Sequence, residues 1–534
     1  MDRRIKEEIE KGETVLGIEL GSTRIKAVLI DSTHHPIASG SYVWENRFEE
    51  GVWTYHLEDI WQGIQMAFLE LSKEVRRLYA VDIVQLNAIG ISAMMHGYMP
   101  FDKNGRLLTP FRTWRNTNTK QAAEELTKEL EFNIPLRWSV AHLYQAIINE
   151  EKHVRDICYL TTLAGFVHWQ LTGEHVLGIG DASGMFPIDN VSGDFDEQML
   201  ARFDKIAERN GFHKRLKELL PKVLSAGDIA GILTKRGAQL LDPSGKLQAG
   251  IPLCPPEGDA GTGMVATNSV AEHTGNVSAG TSIFSMAVLE KPLSKVYPEL
   301  DVVTTPTGKP VAMVHCNNCT TDLDAWVRLF SELLERAGCR LTKSRLYDLL
   351  YQTALEGESD CGGVLSCNYV SGEPITGFDE GVPFILRSAE AKLTIGNLMR
   401  SFLFSAIVAL RIGMDILTEQ ENVQLKRICG HGGMFKTERV GQQLMAAALK
   451  TPVVVLESAG EGGAWGIALL ASYVVRKEKE ETLERYLEKE VFTAELGEEF
   501  IPLQKDIIGF EVFSEHLRKM LSVEQLAIEK MSEK

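Results

Sequence analysis

One carboxylate in this sequence stands in a setting suited to acid–base chemistry. Asp259 lies between glycines in CPPEGDAGTGM (254–264), just before small residues that can open a helix. A helix N-terminus favours a carboxylate as the anion, which suits a charged base. The plainer reading of such a residue is an N-cap aspartate. Two other runs place hydroxyls directly after a glycine: Gly21, Ser22 and Thr23, with Lys26 farther along, and Gly280, Thr281 and Ser282. Glycine at a tight turn lets backbone N–H groups converge on an anion, and hydroxyls add donors. Two such hairpins facing each other would grip a polyphosphate from both sides. A third cluster, RICGHGGMFKTERV, carries Gly430, His431, Gly432 and Gly433 ahead of a helix expected to start at Thr437 or Glu438. Backbone of that kind can approach a flat ring or a phosphate. The P-loop pattern GxxxxGK[ST] is absent. His96 stands in the methionine-rich loop SAMMHGYMPFD with Met94, Met95 and Met99, where a packed ring and a functional one are both open readings. Cys316 and Cys319 form a Cys-x-x-Cys pair. Cys361 and Cys367 are badly spaced as its zinc-binding complement, so two small core residues is the simpler reading.

These groups need elements to hold them. VLGIEL and RIKAVLI read as two strands joined across Gly21, Ser22 and Thr23, with regular structure starting at Val15. Apolar spacing at Ile60, Trp61, Ile64, Phe68 and Leu71 predicts a helix over 57–78. LNAIGISAM (86–94) reads as a buried strand running into the His96 loop. Strands and helices continue to alternate, which indicates an α/β class. GSTRIKAVL echoes in GTSIFSMAVL about half a chain later, so a duplicated fold is expected, divided in the Gly- and Ala-rich stretch near 265–272. ESAGEGGAWGIALLA (457–471) is a small-residue helix start, read as close packing. Beyond Tyr473 the charged run VRKEKEETLERYLEKEV reads as a solvated peripheral helix.

The 534 residues carry 56 Lys+Arg and 73 Asp+Glu, a net charge of −17. That acidity argues against general binding to nucleic acid or anionic membrane. The N-terminus has no apolar core of a signal peptide, and no run reaches the ~18 uninterrupted apolar residues of a membrane helix. The eight cysteines, spread through a long chain, read as reduced thiols of a cytoplasmic protein.

Taken in order, GIELGSTRIKAVLID, EGDAGTGM, SAGTSIF, NYVSGEP and GHGG resemble the FGGY carbohydrate kinases over about residues 14–475. The resemblance implies an α/β fold of two duplicated actin-like ATPase (ribonuclease H-like) domains flanking a catalytic cleft. It implies an N-terminal extension (1–13), an N-terminal domain (14–268), a nucleotide-binding C-terminal domain (269–475) and a charged helical tail (476–534). By the same resemblance Asp259 is the catalytic base. Glu19, Gly21, Ser22, Thr23 and Lys26 fall in the first phosphate loop, Gly280, Thr281 and Ser282 in the second, and Gly432 and Gly433 in the adenosine loop. Met95 and His96 match the sugar-binding loop of xylulokinases, and Trp114 opens WRNTNT (114–119), in the place of a second sugar-contact segment. Asp181, Ala182 and Ser183 match a segment closing the substrate side of the first domain. ATP and Mg²⁺ are the implied cofactors, the metal held by Glu19 through water. The family usually has Asp at Glu19, an acid and an arginine in WRNTNT, and an arginine in SGEPITG. The implied reaction moves the γ-phosphoryl group of ATP to the terminal primary hydroxyl of a ketopentose, L-ribulose or D-xylulose. The implied partner is a small sugar; a homodimer is compatible with the sequence. An activator or chaperone-type ATPase on the same fold is the alternative.

Overall fold

The computed structural model describes residues 3–456, 462–493 and 497–532. The chain forms two compact units. The first comprises Met1–Val270, Val302–Val311 and Glu461–Ala494; the second comprises Ala271–Asp301, Ala312–Gly460 and Glu495–Lys534. The division is therefore not the single cut expected from the glycine-rich stretch, because two later segments return to the first unit.

In the first unit, Val15–Leu20 and Arg24–Ile30 pair antiparallel around the Gly21–Thr23 turn, and Ala88–Ala93 pairs parallel with Val15–Leu20. The seven-stranded sheet continues outward through Pro36–Val43 on one side and Pro252–Leu253 and Gly231–Ile232 on the other. The short strand Glu257–Gly258 pairs with Ser92 and Ala93, which carries the chain into the helix Asp259–Ala266 beside the end of that strand. The 57–78 periodicity forms the helix Leu57–Tyr79, which buries Ile60, Ile64, Phe68 and Leu71. Regular structure begins earlier than Val15. Helix Arg3–Lys11 is held by buried Ile9, by Arg4 paired with Asp31 at 2.8 Å, and by Glu8, which accepts from Ser32 N–H.

The second unit repeats the motif. Thr274–Ala279 and Ile283–Val288 pair antiparallel, and Arg427–His431 pairs parallel with the first of them. Helix Ile395–Asp415 is buried almost all round; by length and composition it could cross a membrane, but it packs in this unit's core. It carries Arg400, 2% exposed, paired with Asp506 at 2.5 Å.

That ion pair corrects the reading of 476–534 as a solvated tail. Helix Gln504–Ser532 buries Phe510, Phe513 and Leu517 in the second core. In the first unit, buried Tyr486 hydrogen-bonds His34 at 2.6 Å. Sparse apolar residues in a charged run are enough to anchor a helix when they share one face.

Candidate functional site

Glu19, the Gly21–Thr23 turn, Met95, His96 and Asp259 lie at the ends of Val15–Leu20 and Ala88–Ala93. Met95 N–H donates to Asp259 Oδ1 at 3.2 Å, so the His96 loop and the helix start are joined at the carboxylate. Asp259 is open to solvent but ringed by protein, which pushes its pKa up to about 6 against the pull of Met95 N–H, Ala260 N–H and the Arg137 charge. The helix N-terminus thus favours the anion as expected, but desolvation outweighs it. Water reaching the side chain screens part of the rise.

Glu19 lies beside it. Its Oε2 accepts from Ala464 N–H at 3.2 Å, and a Cβ on Gly463 would collide with the carboxylate. Burial first, then the Asp259 charge, raise Glu19 to about 7, while Ala464 N–H and Lys26 act the other way. Lys26 stands directly across the strand pair from Glu19. The small residues of 462–471 do pack closely, as read from sequence: Gly466 has no room for a Cβ against Thr262. Residues 457–461 of that run lie outside the described residues.

The first glycine turn has all three carbonyls engaged: Gly21 O by Trp44 Nε1 at 2.7 Å, Ser22 O by Tyr55 OH at 2.6 Å, and Thr23 O by Trp44 N at 3.2 Å. Oxygens that would repel a phosphate are already bonded elsewhere, while Ser22 and Thr23 are exposed.

His96 is 6% exposed with φ 69°, and Nδ1 lies 3.2 Å from Gly184 O. A carbonyl only accepts, so Nδ1 carries a proton, and in a neutral ring Nε2 is then an acceptor. The ring lies nearly parallel to Trp138, with centroids 6.3 Å apart. Met95 is buried. Trp114 is 37% exposed on a segment pinned by Asn116, which accepts from Trp53 N–H at 2.9 Å, and by Arg115 over the Trp53 ring at 3.8 Å.

Sequence reasoning missed Glu257, two residues before Asp259 and 1% exposed. Its oxygens accept from Gly180 N–H at 3.2 Å and Asp181 N–H at 2.9 Å. Asp181 accepts from Thr162 Oγ1 at 2.6 Å, and its other oxygen is buried without a partner. Burial and mutual repulsion raise Glu257 to about 8, and burial raises Asp181 to about 7. Its place next to Asp259 was visible, but its contacts reach about 77 residues back along the chain.

In the second unit, Gly280 O accepts from Thr320 N and Oγ1, and Thr281 O from Cys319 N–H at 3.1 Å. Glu373 of NYVSGEP, fully buried, accepts from Asn317 N–H, Asn318 N–H and Asn318 Nδ2 at 3.1–3.2 Å, which fixes the segment leading to these contacts. Gly432, with φ 100°, lies so close to Ala279 that a Cβ would sit 2.5 Å from its carbonyl, so this cluster adjoins the second hairpin. The helix expected from Thr437 or Glu438 begins at Val440, after a short turn at Gly433–Phe435. Cys316 and Cys319 are buried core thiols.

Family models for the N-terminal and C-terminal domains of the FGGY family of carbohydrate kinases match residues 14–265 and 275–475. The chain belongs to this family of carbohydrate kinases. It is 23% identical over 468 residues to the xylulose kinase of Haemophilus influenzae, spanning 84% of this chain and 89% of the relative. The xylulose kinase of Escherichia coli is also 23% identical, over 87% of this chain and 90% of its own length. Among solved structures, the xylulose kinase of Rhodospirillum rubrum superposes with a TM-score of 0.76 at 17% identity, over 96% of this chain and 99% of that one. The gluconate kinase of Lactobacillus acidophilus gives 0.77 at 16% identity, over 96% and 98%. The fold is the actin-like ATPase fold of the FGGY sugar kinases.

Glu19 faces Ala464 N–H and Lys26 as well as the carboxylate of Asp259. Burial first and then the Asp259 charge raise its pKa, and a divalent cation, as the family implies, would relieve that repulsion. Among the described residues no group of three or more His, Cys, Asp or Glu could hold a metal. An ion here would take its remaining ligands from water and phosphate, as Mg²⁺ commonly does.

Proposed function

We propose that this carbohydrate kinase transfers the γ-phosphoryl group of ATP to the terminal primary hydroxyl of a ketopentose, D-xylulose or L-ribulose. The observation that carries the reading is Asp259: a solvent-open carboxylate, ionised at neutral pH, tied to the Met95–His96 loop. The near full-length similarity to two xylulose kinases supports the substrate class.

Asp259 accepts the proton of the attacking hydroxyl as the new O–P bond forms and the bond to the leaving ADP oxygen breaks. Its pKa of about 6 leaves it mostly as the base at pH 7 while keeping it near the optimum for proton transfer. His96 and Met95 orient the sugar, with His96 Nε2 accepting from a sugar hydroxyl. The Gly21–Thr23 and Gly280–Ser282 turns bind phosphate oxygens through N–H groups and hydroxyls, and Gly432 and Gly433 make room for the nucleoside. Glu19 would hold Mg²⁺ through water, and the ion would neutralise charge on the phosphates.

The test is ADP release by the pure protein with D-xylulose, L-ribulose, other ketoses, glycerol and gluconate. Release stimulated by a ketopentose supports the reading. Release that no sugar stimulates would indicate an activator or chaperone-type ATPase instead.

A further inference from the structure

Three parts of the proposed sugar site meet on one short segment, 178–184, built around the helical turn Ile179–Ala182, and a residue with no role in the chemistry above fastens it. Gly184 O receives His96 Nδ1–H, and a Cβ on Gly184 would lie 2.7 Å from that nitrogen and 2.9 Å from Met95 Cε. Asp181 Oδ1 faces the base segment: a Cβ on Gly258 would lie 3.2 Å from it. Met95 N–H in turn donates to Asp259. The contacts therefore close a ring running from 257–259 to the loop, from the loop to His96 and Met95, and from Met95 back to Asp259.

Glu257 is the fastener. Its two oxygens take the N–H groups of Gly180 and Asp181, and its carboxylate fills the space that side chains on Gly178 and Gly180 would need; on Gly180 a Cβ would sit 2.5 Å from Oε2. The far side of the loop is pinned separately. Ser183 Oγ donates to Gly180 O at 2.6 Å, and Thr304 N–H and Oγ1 donate to Ser183 Oγ and Ile179 O at 3.0 and 3.1 Å. Burial raises Glu257 to about 8, so near neutral pH it stands mostly as the neutral acid, whose two oxygens can still accept from the loop. Two converging backbone N–H groups meet one carboxyl oxygen each, whereas an amide would set its NH₂ against one of them.

We propose that Glu257 is a positioning residue that sets the proton on His96 and the placement of Asp259 by locking loop 178–184. The proposal rests on the sugar-kinase reading for its kinetic consequence but not for its structural one. Glu257→Gln keeps the size but turns an NH₂ group against one of the two backbone donors. It is expected to lower kcat at least tenfold and raise the KM for sugar several-fold, with the KM for ATP within twofold and the acid limb of the pH profile displaced. Glu257→Asp should recover part of the loss. Gly180→Ala, which pushes the carboxyl group aside without removing it, should show the same split between the substrates. Glu481→Gln, a buried carboxylate in the same unit that shares none of these partners, should leave kinetic constants per folded enzyme unchanged.

Imidazole nitrogen NMR, with His96 assigned from a His96→Gln spectrum, gives a readout that needs no substrate. The Nδ1-protonated signature is expected in the wild type and altered in Gly180→Ala and Glu257→Gln. An unaltered His96 signal in a folded variant, or wild-type kinetics in Glu257→Gln, overturns the proposal. If no sugar stimulates the wild-type enzyme, the functional reading fails, and the NMR comparison decides the positioning role by itself.

Discussion

Asp259→Asn is the perturbation that bears most directly on the chemistry. Asparagine keeps an oxygen to accept from Met95 N–H, a bond of 3.2 Å in the wild type, so the loop and helix start stay joined. What is lost is the group that can take a proton. A positioned general base contributes about 10²–10⁴-fold, so turnover should fall by that factor, about 3–5 kcal/mol of barrier. Nucleotide binding should stay within about twofold, because the base acts on the acceptor alcohol. The wild-type pH profile makes a second, independent demand. The protein packed around this carboxyl has raised it to about 6, and the working form is the deprotonated one. Activity is therefore retained above that value and lost as pH falls through it, to roughly a tenth one unit below. Sugar-dependent ADP release between about pH 5 and 8, with calorimetric ATP binding alongside, checks both. More than a few per cent of wild-type turnover in Asp259→Asn, or a profile flat across pH 6, would refute the assignment.

Glu19→Gln should raise the Mg²⁺ concentration needed for half-maximal activity at least tenfold and leave the midpoint of the acid limb near 6, since Glu19, raised to about 7, is already protonated there; a metal titration at several pH values measures both. Gly432→Ala should weaken ATP binding at least tenfold with little change in the sugar KM, because its φ of 100° and the nearby Ala279 carbonyl exclude a side chain. Asp506→Ala leaves the Arg400 guanidinium buried without its partner, and should cost about 3–5 kcal/mol in denaturant unfolding; a loss under 1 kcal/mol, on the order of a surface pair, would contradict that burial.

Legibility in the sequence followed distance along the chain. The strand–turn–strand units at 15–30 and 274–288, the helix from Leu57 and the role suggested for Asp259 all come from residues within a few positions of one another, where periodicity and glycine placement report local backbone geometry directly. The tail was misread because charge composition dominates VRKEKEETLERYLEKEV, while burial depends on the few apolar residues that find a core: Tyr486 against His34, and farther on Phe510 and Phe513 in the second unit. Glu257 passed unnoticed for a similar reason, since an acid beside a glycine looks like surface until its partners at 180 and 181 are known.

The sequence alone therefore determined the α/β class, the duplicated hairpins, the family and the identity of the carboxylate to watch, because each of these is written in short-range pattern and order. Tertiary structure alone decided that Asp259 titrates near 6, that Glu19 has Lys26 and Asp259 as neighbours, that His96 carries its proton on Nδ1, and that a buried acid pair stands behind the base. Those properties arise from desolvation and from charges and carbonyls brought close by folding, and neither quantity exists until distant segments meet.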